Sequence, residues 1–273
     1  MNSLPDSTTV FVINLKKDIK KKEHMIKLCK MFFLDCNFFD AVYGKFLSKE
    51  EIHKHYTIKK SKKYSKKGMS LGEIGCLLSH KTIYQKMIDE NIKQALILED
   101  DIEFSNDIVK IFDSIDLFPK NWELMLLGHH SHAGRDIETW ASIWWQQNIT
   151  KEYKIIRPSE IGKGTYGYLI NNRGAKKLLS KLDQYYKPID HYTGNDKEVN
   201  IYAISPAPIK IHADMSDNYH SMEDRTDAVK KMVADDKSSK LSPKNLLRSL
   251  GLFDSVVFLR DFFKTFLPTK KYK

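Results

Sequence analysis

Apolar residues in this chain recur at two spacings, and the alternation between them outlines the fold. Thr9-Val10-Phe11-Val12-Ile13-Asn14 is a short run rich in β-branched and aromatic residues, which reads as a strand. Asp18 then stands as a helix cap before Met25, Leu28, Cys29, Phe32 and Phe33, which recur at helical spacing. Asn37–Val42 reads as a second strand. Ser48 with Glu51, and Ser70 with Glu73, each show the spacing of a capping box. The second opens the stronger helix, through Leu77, Leu78, Ile83, Tyr84, Met87 and Ile88. A strand at Ala95–Leu98, a helix near Asp107–Ser114 and a strand at Glu123–Leu127 follow. A strand at Thr165–Ile170, a helix from Asn172 to Leu182 and a strand at Pro208–His212 complete the pattern. This βαβ rhythm predicts an α/β fold, a mostly parallel sheet with helices on both faces. No internal repeat interrupts it.

Candidate chemistry concentrates where the run Gln94-Ala95-Leu96-Ile97-Leu98 ends in Glu99-Asp100-Asp101. A run of this kind reads as a buried strand. Three acids at its carboxyl end then sit on the rim where open α/β sheets bind ligands. Carboxylates this close repel one another, and a hard cation such as Mn²⁺ or Mg²⁺ relieves that repulsion. Such an ion would neutralise a diphosphate.

Composition and charge narrow the field. With 273 residues, 41 % hydrophobic and 29 % charged, the chain can bury one substantial core, or one core and an appendage. No apolar run approaches the roughly 18 residues that span a bilayer. The segment Met1–Ser7 lacks the basic and apolar regions of an export signal. Cys29, Cys36 and Cys76 show no CxxC spacing and read as reduced thiols of a cytoplasmic protein. The net charge of +10 is uneven. Residues 237–273 hold nine Lys/Arg against Asp254 and Asp261, a balance of +7. Lys59, Lys60, Lys62, Lys63, Lys66 and Lys67 form a second cluster, read as a solvated loop. Basic runs suit polyanionic partners, but neither contains a nucleic-acid module, so nucleic acid is not the expected partner.

The first strand ends in Ile13-Asn14-Leu15-Lys16, without GxGxxG or GxxxxGK[ST]. Phosphate therefore has to be held by a metal and basic side chains. Val12–Leu15, Leu71-Gly72-Glu73-Ile74-Gly75-Cys76-Leu77-Leu78-Ser79-His80 and Ala95–Asp101 resemble successive signatures of glycosyltransferase family 25. Thr165-Tyr166-Gly167-Tyr168-Leu169-Ile170 with Arg173-Gly174-Ala175 continues the likeness in order. The blocks span most of residues 8–215, and four in order are far more specific than one. The resemblance implies a GT-A-like catalytic domain over residues 1–236 and inverting transfer from a nucleotide-sugar donor, usually UDP-galactose. The acceptor it implies is a lipid-anchored oligosaccharide, the glycan of lipooligosaccharide or lipopolysaccharide.

Carried onto this sequence, the resemblance makes Glu99-Asp100-Asp101 the acidic metal motif. Asp101 is the leading metal ligand, and Glu99 lies nearer the ribose or a metal-bound water. His212, at the end of the late strand, resembles the third ligand that some GT-A enzymes take from this region. Asn14 and Leu15 end the strand where a base or ribose would lie. Glu73 and His80 are seven apart on one helix and so share a face, with Ser79 beside them. Thr165, Tyr166 and Gly167 offer a hydroxyl, a ring and close backbone approach to a sugar. Inversion needs a base distinct from the metal-held acids. Asp190, after the rigid Pro188, is the candidate, with Asp196 and Glu198 as rivals.

Two regions complete the reading. Gly128–Asn148 reads as a flexible loop in which His129, His130 and His132 follow HHxH, not the pattern of a zinc helix. Trp140, Trp144 and Trp145 within it suit either a sugar platform or a core flap. Residues 237–273 read as an amphipathic basic helix, with Leu246, Leu247, Leu250, Phe253 and Phe262 among its apolar residues and Arg248, Arg260 and Lys264 among its basic ones. Such a helix lies on an anionic membrane, which would place the protein on the cytoplasmic face of the inner membrane. Packing of that face on the catalytic domain, or in a homo-oligomer, is the alternative. A nucleotidyltransferase that makes a nucleotide sugar and a lectin-like carbohydrate-binding module are the competing functions.

Overall fold

The computed structural model describes residues 4–5, 7–66, 68–131 and 138–215. The basic segment 237–273 lies outside them. The first part of the chain runs β1 (Thr8–Asn14), α1 (Ile19–Met31), β2 (Cys36–Asp40), α2 (Lys49–His55), α3 (Ile58–Tyr64) and α4 (Leu71–Asp89). Then come β3 (Gln94–Glu99), β4 (Ile102–Phe104), α5 (Ile108–Phe112), β5 (Leu124–His130), β6 (Ala141–Asn148) and β7 (Lys154–Pro158). The last elements are β8 (Lys163–Asn171), α6 (Asn172–Lys181), α7 (Asp190–Thr193), β9 (Ile201–Ser205) and β10 (Ile209–Ile211).

Eight strands form one sheet in the order β2-β1-β3-β8-β5-β9-β7-β6. The expected parallel arrangement is its core: β1 runs parallel to β2 and β3, and β5 runs parallel to β9. β8 enters antiparallel between β3 and β5, with Leu98 opposite Gly167, so the sheet is mixed. Side chains alternate across it, as a period of two requires. Phe11, Ile13, Ala95, Ile97 and Tyr168 pack with Ile74, Leu77, Tyr84 and Met87 of α4 and Leu178 of α6. Val10, Val12, Leu96 and Leu98 pack on the opposite face with Met25 and Leu28 of α1 and Ile111 and Phe112 of α5. Burial on both faces is why these strands read as unbroken apolar runs.

Both capping boxes form. Ser48 and Ser70 accept the amide N–H of Glu51 and Glu73, whose carboxylates accept the N–H of Ser48 and Ser70 in return. Asp18 precedes α1 but makes no side-chain cap bond.

Three expectations are corrected. The lysine-rich run 59–67 is helical over most of its length, because Ser61 on α3 is buried and receives the Tyr56 hydroxyl at 2.7 Å. The segment 128–148 is not one loop: β5 extends to His130, and β6 opens at Ala141 and pairs with β7. Cys29 and Cys36 are joined in a disulfide, so they are not reduced thiols; they lie just before the end of α1 and at the start of β2.

The α4 amino terminus is brought to the end of β1 and β2 by two interleaved glycines. A methyl on Gly75 would lie 2.5 Å from the Val42 carbonyl oxygen and 2.7 Å from the Gly44 nitrogen. Helix propensity favours Ala over Gly by about 1 kcal/mol, whereas overpacking costs about 1–3 kcal/mol. Both obstructing atoms are backbone, so sterics wins. Gly75→Ala is expected to lower unfolding free energy by about 1–3 kcal/mol in urea denaturation, while Gly72→Ala on the exposed first turn is neutral or stabilising. A stabilising Gly75→Ala would contradict this packing.

Candidate active site

The parallel strands β1, β2 and β3 end at one rim, and α4 begins there because it runs back against β3. The start of β8 lies at the same rim through its antiparallel pairing. Asn14, the last residue of β1, is buried and donates through Nδ2 to Asp100 Oδ2 at 2.7 Å and to the Asp18 carbonyl at 3.2 Å. Its own carbonyl accepts the Ala41 N–H, and that of Leu15 accepts the Asp18 N–H. The first strand thus leads into a fixed turn at the edge of the acids.

Glu99, Asp100 and Asp101 face different partners. Glu99 turns toward α4, accepting the Thr165 hydroxyl at 2.9 Å, with Cys76 Sγ at 3.9 Å. Asp100 takes the Asn14 amide and lies 3.5 Å from Lys21 Nζ. Asp101 Oδ2 lies 3.3 Å from the same ammonium, on the α1 side. Antiparallel pairing of β10 with β4 carries His212 to this point, where its N–H donates to the Asp101 carbonyl at 2.7 Å. The His212 ring packs edge-on against His24 at 4.8 Å. Its Nδ1 is buried without a hydrogen-bond partner among the described residues.

Crowding and burial show in the proton affinities. Burial, followed by the charge of Asp101, pushes Glu99 up to about 8. Burial also raises Asp100, while Lys21 and the Asn14 amide pull it back down. The Asp100 and Asp101 carboxylates are hard oxygen donors, which suit Mn²⁺ and Mg²⁺. The orphaned His212 nitrogen beside Asp101 fits the same group. Asp101, with Asp100 adjacent, would supply the oxygen ligands of a divalent ion shared with Lys21, and His212 reaches this point through its backbone N–H.

Other predicted residues are dispersed. The shared face expected of Glu73 and His80 is divided: the Glu73 carboxylate closes the α4 capping box, and His80 is fully buried with Nδ1 on the Tyr168 hydroxyl at 2.7 Å. Ser79 accepts the Val42 N–H and donates to the Gly75 carbonyl. Tyr166 is buried, with ring atoms filling the space beside Gly128 and Gly164. The close approach that Gly167 permits is made by the Ile209 side chain, 2.5 Å from where a methyl would sit. Thr165 reaches the rim through Glu99. Asp190 begins α7, 3.8 Å from the His191 ring, and its charge adds a minor share to the rise that burial imposes on Glu99 and Cys76. Its rivals Asp196 and Glu198 pair with Lys181 at 3.2 and 3.0 Å.

Lys21 and Cys76 were missed as site residues. Lys21 belongs to the run Lys20-Lys21-Lys22 at the start of α1, and only helical phase and burial single it out. Of the expected histidines, His129 is buried and bonds the Ile204 carbonyl at 2.7 Å, while the His130 ring stacks over Tyr166 at 6.2 Å. His132 lies outside the described residues. Trp145 packs on Tyr202 at 5.1 Å, on the core side of β6.

Against known proteins, the profile described as glycosyltransferase family 25 (LPS biosynthesis protein) matches residues 7–193. A protein named glycosyltransferase 25 family member from Aedes aegypti is 29 % identical over 91 % of this chain and 44 % of its own length. Procollagen galactosyltransferase 2 of Mus musculus is 26 % identical over 67 % of this chain and 29 % of its own length. The chain thus spans less than half the length of these curated relatives. Among solved structures, a glycosyltransferase involved in glycosylation of the major capsid of PBCV-1 aligns with a TM-score of 0.31 at 13 % identity, covering 64 % of this chain and 66 % of that one.

The buried histidines set a pH dependence. Burial lowers His80 to about 3, and it lowers His129 in the same direction. Both are neutral in the fold, while the unfolded chain takes up protons below about 6.5. The His80 contribution is present above that pH and is lost as pH falls toward 3, by up to about 1.4 kcal/mol per unit, and that of His129 falls in the same direction. Urea denaturation from pH 7 to pH 4 should show a shallower decline for His80→Asn than for the unaltered chain. Equal slopes would mean that the His80 imidazole titrates freely in the fold.

Proposed function

The chain belongs to glycosyltransferase family 25, and from that premise we propose that it transfers galactose from UDP-galactose, with inversion and a divalent cation, to a lipopolysaccharide-type glycan. The observation that carries the proposal is the rim where Asn14, Lys21, Asp100, Asp101 and His212 meet. Galactose as the sugar is supported by relatives named procollagen galactosyltransferases. The acceptor class is supported by the family description. The site lacks a glycine-rich phosphate loop, so the diphosphate charge falls to Lys21 and the ion. Bound at Asp101, Mn²⁺ or Mg²⁺ supplies Lewis-acid stabilisation of the departing diphosphate.

The residues of this chain do the rest. Asn14 holds Asp100 in place and fixes the turn against which the nucleoside is read. The Lys21 ammonium stands between Asp100 and Asp101 and offers a second counter-charge when phosphate arrives. Glu99, held by Thr165, presents a carboxyl to a sugar or ribose hydroxyl. Asp190 takes the acceptor hydroxyl proton as that oxygen attacks the anomeric carbon. The new glycosidic bond forms as the bond from that carbon to UDP breaks, and the electron pair leaves with the diphosphate. Asp190 is favoured over Asp196 and Glu198 because both of those are held by Lys181. We further infer that segment 237–273 seats the enzyme on an anionic cytoplasmic membrane surface, bringing it to a lipid-anchored acceptor.

UDP-galactose turnover is expected to require Mn²⁺ or Mg²⁺, to stop in EDTA, and to collapse in Asp101→Asn. Asp190→Asn should keep donor affinity and lose transfer by at least about 10²-fold, the scale of a missing general base. Full activity in EDTA would remove the metal, and unchanged transfer in Asp190→Asn would move the base elsewhere. UDP release to a peptidyl hydroxyl but not to a lipopolysaccharide glycan would replace the acceptor class.

The membrane proposal has its own check. The full chain should co-sediment with anionic vesicles at low salt, and a chain ended at Asp236 should stay in solution. Equal sedimentation of the two would exclude the segment as the anchor.

A further inference from the structure

A second cluster of ligating groups lies on the α4 side of the rim. Cys76 and His80 stand four apart on α4 and therefore share a face. Glu99 ends β3 directly against them. One ligand atom from each of the three lies within 4.8 Å of the other two. His80 is fully buried. Its Nδ1 is engaged by the Tyr168 hydroxyl at 2.7 Å, and that hydroxyl meets the Tyr84 hydroxyl at 2.6 Å. Its Nε2 is buried with no hydrogen-bond partner among the described residues.

We propose that Cys76, His80 and Glu99 form a zinc site, separate from the hard-ion position at Asp101. The donor set decides the metal. Thiolate and imidazole beside one carboxylate suit Zn²⁺, whereas Mn²⁺ and Mg²⁺ prefer oxygen ligands. Zinc bonds of about 2.0–2.3 Å at a tetrahedral centre put ligand atoms about 3.3–3.8 Å apart. Cys76 Sγ and Glu99 Oε1 are already 3.9 Å apart, so closure around an ion needs only small side-chain movements.

The surroundings match a prepared site. A zinc-bound histidine ordinarily gives its other ring N–H to an oxygen, which fixes the tautomer. Tyr168, itself held by Tyr84, supplies that oxygen for His80. Thr165 donates its hydroxyl to the Glu99 carboxylate and orients it. The two ion positions diverge because Glu99 faces α4 while Asp101 faces α1 and His212. An ion at Cys76, His80 and Glu99 ties the first turns of α4 to the end of β3 and fixes the Glu99 carboxylate. The proposal rests on these three side chains and not on the reaction assigned to the rim.

Cobalt substitution of the full chain tests it. Chelator-treated protein should take up Co²⁺ with a thiolate-to-cobalt charge-transfer band and tetrahedral visible bands. Cys76→Ser should abolish the charge-transfer band. His80→Gln should weaken Zn²⁺ binding by more than the roughly 10–100-fold typical of losing an outer partner. Asp101→Asn, and the double variant Cys29→Ser/Cys36→Ser, should retain the band. Should His80→Gln fail to fold, Glu99→Gln is read in its place, with Zn²⁺ expected to raise the thermal midpoint of the unaltered chain and not of the variant. A folded protein with no thiolate band, or an equal band in Cys76→Ser, overturns the proposal.

Discussion

Three adjacent carboxylates at the end of a buried strand cannot all stay charged without partners, and the rim of this protein is arranged around that constraint. Glu99 is turned away from the other two, which share Lys21. Glu99 meets Thr165 of β8 and Cys76 of α4, Asp100 meets Asn14 of β1, and Asp101 meets Lys21 of α1. Strand order, the placement of α4 and the β4–β10 pair all serve this dispersal. The antiparallel entry of β8 brings Thr165 to Glu99, and the short β10 carries the His212 amide to the Asp101 carbonyl. Lys21 alone is insufficient, since one ammonium faces two carboxylates. Burial first, and the neighbouring Asp101 charge second, raise Glu99 to about 8.

The parts of the fold that could be read in advance are those whose cause is local. Ser48 with Glu51 and Ser70 with Glu73 reveal helix starts because the reciprocal bonds need only four residues. The strand at Ala95–Leu98 is legible because burial on both faces leaves it wholly apolar. Strand order is another matter. Nothing in Thr165–Ile170 tells whether it runs with or against β3, since its residues suit either direction. The lysine-rich helix was hidden because its helical state depends on Ser61 meeting Tyr56 and on Met69 binding the same hydroxyl. The Cys29–Cys36 pairing depends on the turn that returns the chain from α1 to β2, which no cysteine motif announces.

The site follows the same division. The acids and Asn14 were legible because they end strands, and a strand end is a position that sequence marks. His212 was legible for the same reason, although its nearness to Asp101 is a property of the β4–β10 pairing. Residues on α4 were harder to assign. Spacing placed Glu73 and His80 on one face, but the capping box draws the Glu73 carboxylate back to Ser70 and the Tyr168 hydroxyl holds His80 inward. Gly167 shows how a correct physical premise can meet a different occupant. Close approach does occur there, and the group that approaches is Ile209.

Dispersal of the acids also sorts ligands by hardness. Toward α1 the rim offers the carboxylate oxygens of Asp100 and Asp101 beside the Lys21 ammonium. Toward α4 it offers sulfur, a buried imidazole nitrogen and a single carboxylate. A hard ion gains little from the second set, and a softer ion gains most there, so each side discriminates by donor chemistry without any difference in size. Glu99 ends β3 and faces α4, whereas Asp101, two residues on, already lies in the turn that leads to β4 and faces α1. The chain leaves β3 after Glu99, and the turn at Asp100 and Asp101 breaks the two-residue alternation, which gives neighbouring acids unlike surroundings.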